Sequence, residues 1–252
     1  MLVQEGAQTA ERDVAAMTYA EFIQLGPLLD LQYQIPGAPD SLFFVVAHQV
    51  TELWFRAILH ELDLAKYAID ADDLREARYR LTRVVRGEDV LVLHLRAVET
   101  ISASNFALIR RHLGTSSAFE SVQFREIEFV SGRKDRRFLD SSKLTEVERT
   151  RLQARFDQPS LVEALAALLD RRGRPDLREV MAGRSDPDLS ALIDALLEHD
   201  LGVARWRAGH AQMAERIIGY RPGTGGSTGV EYLQGTTGKR FFPDLWEIRT
   251  AL

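Results

Sequence analysis

The sequence has no cysteine among its 252 residues. Disulfide bonds, zinc–thiolate sites, iron–sulfur clusters and cysteine nucleophiles are therefore excluded, because each of them requires a thiol. The absence of cysteine fits a reducing compartment, and the first residues lack the basic start and apolar core of a secretory signal peptide. We therefore expect a cytoplasmic protein.

Long apolar runs and an excess of positive charge are also missing. The run at residues 42–47, which no other apolar run exceeds in length, is far shorter than the roughly 20 residues that span a bilayer. The formal net charge is -5, which argues against a nucleic acid as the main partner. We therefore expect no membrane and no nucleic-acid partner.

Helical periodicity dominates what is present. We find no alternating strand pattern and no internal repeat along the chain. Hydrophobic residues make up 45% and charged residues 27%, which is typical of a soluble globular domain rather than a disordered chain. The sequence predicts an all-α fold in one domain over residues 1–252, with residues 140–185 as a peripheral helical insertion.

Two long helices are predicted to form the core. One covers residues 41–69 and is apolar on nearly every side, which places it in the interior or in an oligomer interface. The other covers about 188–219 and ends at Gly219. The remaining predictions are a helix over 19–32 broken at Pro27, a helix from Asp73 toward Ile101 interrupted at Gly87, a helix capped by Ser104, a helix from Phe119, and two helices begun by the capping boxes Thr145/Glu148 and Ser160/Glu163.

His210 is the first candidate for chemistry. Trp206, His210, Met213 and Ile217 follow a spacing of 4, 3 and 4, which puts them on one helix face. A single imidazole on a buried helix among apolar side chains is what a proximal haem ligand requires. The plain alternative is a core histidine whose hydrogen bonds are satisfied.

His48 is the second candidate, midway along the most apolar helix. Phe44 lies four residues before it and Glu52 four residues after it, on the same face. His48 and Glu52 could share a metal ion, although two ligands alone are weak evidence. The alternative is a buried hydrogen bond between the two side chains, and spacing does not separate these hypotheses.

Two further features could bind a small polar ligand. One of Arg110 and Arg111 could point inward at a carboxylate, although most arginines are surface residues. The segment GTGGSTG at residues 223–229 lacks the Lys-Ser/Thr ending of a phosphate loop and follows a helix. It is either a flexible linker or a loop whose hydroxyls, including that of Thr224, close over a ligand.

Three long segments together resemble the tryptophan 2,3-dioxygenase family. They are LFFVVAHQVTELWFRAILHEL at 42–62, SSAFESVQFREIEF at 116–129 and WRAGHAQMAERIIGYRPGTGGSTGVEYL at 206–233. RFFPDLWEIRTAL at 240–252 is also similar, and TYAEFIQLGPLL at 18–29 more loosely. The resemblance implies an all-helical haem-binding fold, haem b with ferrous iron in the active state, O2 as co-substrate, and a homotetramer built as a dimer of dimers.

The resemblance also implies a role for individual residues. His210 matches the proximal ligand of the haem iron, and His48 matches the distal histidine near the indole nitrogen. Residues that would bind the substrate are Phe44 and Phe106 beside the indole, Arg110 at the carboxylate, Thr224 at the amino-acid end, and Tyr19, with Phe22, from a neighbouring subunit. Ser117 and Ala118 match the loop over the haem. The implied reaction is the 2,3-dioxygenation of L-tryptophan to N-formylkynurenine, a catabolic step.

Two departures from the family pattern, together with the short chain, keep a second hypothesis open. Phe22 replaces a tyrosine, and Ala118 replaces a glycine in the loop over the haem. Asp40–Ser41 also replaces an acidic pair. The alternative is a related haem monooxygenase that inserts one oxygen atom into a modified tryptophan, with an oxindole-type product, and needs an electron source. A third hypothesis, a non-catalytic haem sensor, would not need Arg110 together with Thr224.

Overall fold

The computed structural model describes residues 17–114 and 121–252, and within these ranges it contains helices and no strand. The prediction of an all-α fold is confirmed. The helices are α1 Tyr19–Phe22, α2 Leu25–Leu29, α3 Ser41–Asp70, α4 Leu74–Val98, α5 Ala103–Leu113, α6 Val122–Ser131, a 3-10 helix Arg136–Phe138, α7 Glu146–Asp157, α8 Leu161–Arg171, α9 Leu177–Met181, α10 Pro187–Ile218, α11 Val230–Gln234 and α12 Pro243–Thr250.

The longest helices, α3, α4 and α10, pack together and carry most of the core. Helix α10 begins where the Asp186 side chain accepts a hydrogen bond from the Leu189 amide at 3.0 Å, with Pro187 in the first turn. It ends at Gly219, whose φ of 58° favours glycine. Both long helices predicted from the sequence are therefore confirmed.

Helix α4 runs without a break through Gly87, so the predicted interruption is wrong. A Cβ atom at Gly87 would lie only 3.0 Å from Cγ1 of Ile58 and 3.4 Å from the Trp54 ring. The glycine therefore allows α4 to approach α3 closely. This packing offsets the low intrinsic helix propensity of glycine. The Asp73 cap is confirmed, since its carboxylate accepts from the Glu76 amide at 2.9 Å.

Two other local predictions need correction. The break near the N-terminus falls at Gln24, whose φ is 54°, and Pro27 lies in the first turn of α2. A proline costs no hydrogen bond in a first turn, because that amide has no partner in the helix. Helix α5 is capped by Ser102, whose hydroxyl accepts from the Asn105 amide at 3.1 Å, and not by Ser104. The predicted start at Phe119 lies outside the described residues.

The segment 140–185 is helical, as predicted. Both capping boxes are present at the starts of α7 and α8. The buried residues Leu161, Leu165, Leu168 and Val180 join the main core. The segment therefore packs against the long helices through an apolar face of its own.

Helix α3 is the one helix within residues 17–114 and 121–252 that could cross a membrane by length and composition. Only 22% of its most apolar window is buried. Its second half is core, whereas Leu42, Phe43, Val46 and Leu53 are exposed. The predicted burial is therefore confirmed for the second half, and the alternative of an oligomer interface stays a prediction for the first half.

Buried polar contacts fix α10 against its neighbours. His199 on α10 lies with Nδ1 2.6 Å from Glu88 Oε1 on α4 and with Nε2 2.8 Å from the Ser131 hydroxyl on α6. The next residue, Asp200, accepts hydrogen bonds from the Phe241 amide at 3.0 Å and the Trp246 indole at 2.9 Å. The helix that carries His210 is thereby held on three sides by bonds that burial strengthens.

Candidate active site

A cavity of about 480 Å³ lies among α3, α4, α5, α6, α10 and the segment that follows α10. Its wall is mainly apolar. It gathers six of the residues singled out from the sequence: Phe44, His48, Phe106, Arg110, His210 and Thr224. Residues that are far apart in the chain thus meet in a single cavity.

His210 lies in the wall that α10 contributes. Its ring stacks on Trp206, with centroids 5.3 Å apart and planes 3° apart. Burial, with a smaller contribution from the charge of His48, lowers the pKa of His210 to about 4. No hydrogen bond from the described residues holds the His210 ring, so the alternative of a satisfied core histidine loses its support. A neutral imidazole with a free lone pair is the form that binds a metal.

His48 lies in the wall that α3 contributes. Its Nδ1 is 2.8 Å from the Phe44 carbonyl oxygen, which can only accept, so Nδ1 carries the proton and Nε2 is left as an acceptor. Burial lowers the pKa of His48, opposed by the hydrogen bond to Phe44 and by the charge of Glu52. At neutral pH the side chain is therefore an uncharged acceptor.

Glu52 makes no hydrogen bond to His48 among the described residues, so the hypothesis of a buried hydrogen bond between these two side chains is wrong. The Gln123 amide donates to the Glu52 carboxylate at 2.7 Å and to its carbonyl oxygen at 2.9 Å. Within residues 17–114 and 121–252, no group of three or more His, Cys, Asp or Glu side chains is arranged to hold a metal ion.

Phe44 and Phe106 form an aromatic part of the wall. Their ring centroids are 5.9 Å apart, and Phe44 also lies 4.1 Å from the ring of His48. Ala47, Val98 and Ile101 back this wall as a small separate core. Aromatic faces at such distances favour a flat apolar ligand.

Arg110 and Thr224 line a polar part of the cavity. Arg110 faces it, whereas Arg111 is exposed, which decides between the two arginines. The glycine-rich segment is an ordered turn, because the Gly223 amide donates to the Ser227 carbonyl at 3.0 Å. A Cβ atom at Gly229 would lie 2.3 Å from the Arg221 carbonyl oxygen, so this close approach requires glycine.

A second polar group in the wall was missed by the sequence analysis. Glu128 lies between two arginines: Arg207 donates to its Oε1 at 2.7 Å, and Arg125 pairs with Oε2. Arg207 also donates to the Lys239 carbonyl at 3.0 Å. Burial lowers the pKa of Arg207, opposed by the charge of Glu128. One signal was available, since Arg207 precedes His210 by three residues and so shares its side of α10.

The cluster carries two positive charges against one negative charge at a buried wall. Lys239 stands nearby, and burial lowers the pKa of its ammonium group, followed by repulsion from Arg133. An anionic ligand group beside these two guanidinium groups would form charge-assisted hydrogen bonds. Tyr232 lines the same part of the cavity.

Tyr19 and Phe22 do not line the cavity of their own chain. Tyr19 is 75% exposed and Phe22 63% exposed, both on the short helix α1. Their predicted role needed a neighbouring subunit and stays a prediction. Ser117 and Ala118 lie outside the described residues.

Comparison with known proteins gives one consistent result. The family model for tryptophan 2,3-dioxygenase matches residues 2–179 and 182–252. Among similar proteins are the tryptophan 2,3-dioxygenases of Nocardioides sp., 38% identical over 94% of this chain and 96% of that protein, and of Caulobacter vibrioides, 37% identical over 94% and 98%. That of Erythrobacter litoralis is 34% identical over 94% and 98%.

Proposed function

The chain belongs to the tryptophan 2,3-dioxygenase family, and we propose that it oxidises L-tryptophan with O2 to N-formylkynurenine, with haem b as its cofactor. The observation that carries the proposal is the single cavity in which His210, His48 and Arg110 meet. It combines a metal-binding imidazole, an uncharged acceptor and a carboxylate-binding guanidinium around apolar walls.

The cavity fits a haem in three respects. His210 would hold the iron through one neutral imidazole, and no group of three or more His, Cys, Asp or Glu side chains among residues 17–114 and 121–252 is arranged to hold a metal ion. The apolar wall suits the faces of a porphyrin. Arg125 and Arg207 would hold its carboxylates, because their joint charge exceeds that of Glu128. When bound, the haem supplies the redox-active iron that activates O2.

The chain's own residues bind and orient the substrate. Arg110 presents a planar guanidinium that matches a carboxylate, with Thr224 beside the amino-acid end. Phe44 and Phe106 line the space for the indole ring. His48 accepts a hydrogen bond from the indole N–H through Nε2, which fixes the orientation of the ring. His48 acts as an orienting group in this scheme, because adding oxygen to an indole need not begin with proton removal.

Water must be kept out while the indole reacts. The ordered turn at residues 223–229 lies beside Arg110 and forms part of the wall. Holding the ring in a near-attack geometry and excluding water together lower the barrier. Both atoms of O2 enter one product, so no external reductant is consumed in each turnover.

The alternative of single-oxygen insertion is not favoured. The relatives named above are all tryptophan 2,3-dioxygenases, and the family match covers nearly the whole chain. Of the departures that motivated it, Phe22 lies on an exposed helix away from the cavity of its own chain.

A homotetramer in the cytoplasm is part of the same proposal. Large apolar side chains are exposed on two neighbouring stretches, which supports burial against another copy. They are Tyr19, Phe22, Leu29, Leu31 and Tyr33 before α3, and Leu42, Phe43 and Val46 at its start. In such an assembly Tyr19 would reach the cavity of a neighbouring subunit.

The reaction is tested by a single turnover of the ferrous, haem-loaded enzyme with tryptophan and 18O-labelled O2. The expected product is ring-opened, carries two labelled atoms and forms without added reductant. A ring-intact product with one labelled atom, formed only when reductant is added, would refute the dioxygenase proposal.

A further inference from the structure

Asp40 stands at the start of α3 but does not cap it. Aspartate is among the preferred N-cap residues, yet the Asp40 carboxylate makes no hydrogen bond to the amides of the first turn. Its Oδ2 instead accepts a hydrogen bond from Asn105 Nδ2 at 2.8 Å, across 65 residues of chain. The Asp40 carboxylate therefore does not cap α3 and instead connects the start of α3 to α5.

The link joins the two backbones that carry the aromatic wall. The Asp40 carbonyl accepts from the Phe44 amide at 3.0 Å in the first turn of α3. Asn105 directly precedes Phe106 on α5. The Asp40–Asn105 bond therefore lies next to the two residues whose ring centroids are 5.9 Å apart, and it constrains the backbones that carry them.

Helix α5 has few polar attachments to distant segments. Ile109 is its one buried residue, Phe106 packs against the small core of Ala47, Val98 and Ile101, and Ser102 caps the helix from within its own segment. Among residues 17–114 and 121–252, the other polar contact from α5 to a distant segment is the bond of Arg110 to the Pro222 carbonyl, toward the opposite end of the helix. Asn105 is therefore the polar link between the first turn of α5 and α3.

We propose that the Asp40–Asn105 hydrogen bond positions Phe106 against Phe44 and so determines which indole rings the site accepts. The proposal rests on the proposed function, because it assigns the aromatic wall to the indole. Asp40 and Asn105 are positioning residues, since neither lines the cavity. A charge-assisted hydrogen bond in a partly buried setting gives a directional constraint that the apolar packing of Phe106 lacks.

The test compares Asn105→Ala, Asn105→Asp and the exchanged pair Asp40→Asn with Asn105→Asp in the haem-loaded enzyme. Asn105→Ala removes the donor, and Asn105→Asp sets two carboxylates against each other. The exchanged pair restores one donor and one acceptor with the positions reversed. Ser104→Ala is the matched control, because Ser104 is exposed on the same turn and its hydroxyl meets only that of Ser102.

We expect Asn105→Ala to lower kcat/KM for tryptophan about 10-fold, mainly through KM, because the wall contacts the ring in the ground state as well. The ratio of kcat/KM for 6-methyltryptophan to that for tryptophan should rise at least about 3-fold, since the wall can now yield to a methyl group. Asn105→Asp should show larger changes, and the exchanged pair should return both values to within about 3-fold of the wild type.

Dissociation constants of the two amino acids, measured by calorimetry, give a readout that does not require turnover. An unchanged substrate ratio in Asn105→Ala, or an exchanged pair that folds with the wild-type Tm but does not recover the ratio, would overturn the proposal. A change of the same size in Ser104→Ala would overturn it too. If the wild type binds tryptophan without oxidising it, the proposed function fails and the dissociation constants still decide this proposal; no binding at all refutes both.

Discussion

Arg110 donates a hydrogen bond of 2.5 Å to the carbonyl oxygen of Pro222. This bond connects the cavity-facing side of α5 with the entry of the glycine-rich turn. The bond uses one of the five guanidinium N–H groups, so a substrate carboxylate could pair with the others. In the proposed function, Arg110 would then contact both the substrate and the turn.

Replacing Arg110 should impair the use of tryptophan through the loss of its planar, two-pronged donor. We expect Arg110→Lys to lower kcat/KM about 10- to 100-fold, and Arg110→Ala to lower it further. Arg111→Ala is the control, because Arg111 is exposed, and it should stay close to the wild type. Steady-state kinetics of the three variants are sufficient. A larger effect at Arg111 than at Arg110 would contradict the assignment.

Removing His210 should empty the haem site, since no other protein ligand stands in the cavity wall that α10 provides. His210→Ala should purify with little haem, and added imidazole should restore the Soret band. His48→Ala should keep its haem and lose rate, because it removes only an acceptor for the substrate. Haem content per chain and absorption spectra measure both. If His48→Ala also loses haem, the proximal and distal assignments are reversed.

The pairing of Arg125 and Arg207 with the porphyrin carboxylates can be tested without turnover. Haem-free protein is titrated with haemin and with its dimethyl ester, which has no free carboxylates. Wild-type protein should bind haemin at least about 10-fold more tightly than the ester, as expected for charge-assisted bonds to buried guanidinium groups. Arg207→Gln should lose most of this difference while keeping its affinity for the ester. Equal loss for both ligands would show that Arg207 acts only through the fold.

The acid limb of the pH profile should report His48. Its pKa is lowered below the 6.5 of an unperturbed histidine, chiefly by burial, so the imidazole stays neutral until the pH falls well below that value. Protonation removes the lone pair on Nε2 that accepts from the indole N–H. We therefore expect kcat/KM to be constant at neutral pH and to fall as the pH drops through the lowered pKa. The limb should be absent in His48→Ala; a limb that persists there belongs to another group.

Local features of the fold were predicted well from the sequence. The capping residues Asp73, Thr145 and Ser160 each act on an amide three residues ahead, so spacing alone reveals them. The same holds for the stripe around His210, because neighbours three and four residues apart share a helix face wherever the helix packs. The errors at Ser104 and Pro27 were shifts of a few residues within correctly predicted helical regions.

Contacts between helices could not be predicted from the sequence, because they depend on how the helices cross. Gly87 weakens a helix in isolation, and only its approach to Ile58 explains why the helix continues. Glu52 shares a face with His48, but Gln123 of α6 supplies its hydrogen bond. The choice between Arg110 and Arg111 likewise required the orientation of α5 against the cavity.

The sequence by itself determined the helical class, the two long helices, the family and the residues that could carry the chemistry, since local periodicity and ordered motifs encode all of these. The tertiary structure alone brought the cationic group of Arg125 and Arg207 to the cavity wall and joined Asp40 to Asn105. These partners are separated by tens of residues, and their free energy of interaction depends on a distance of a few ångströms that only helix packing sets.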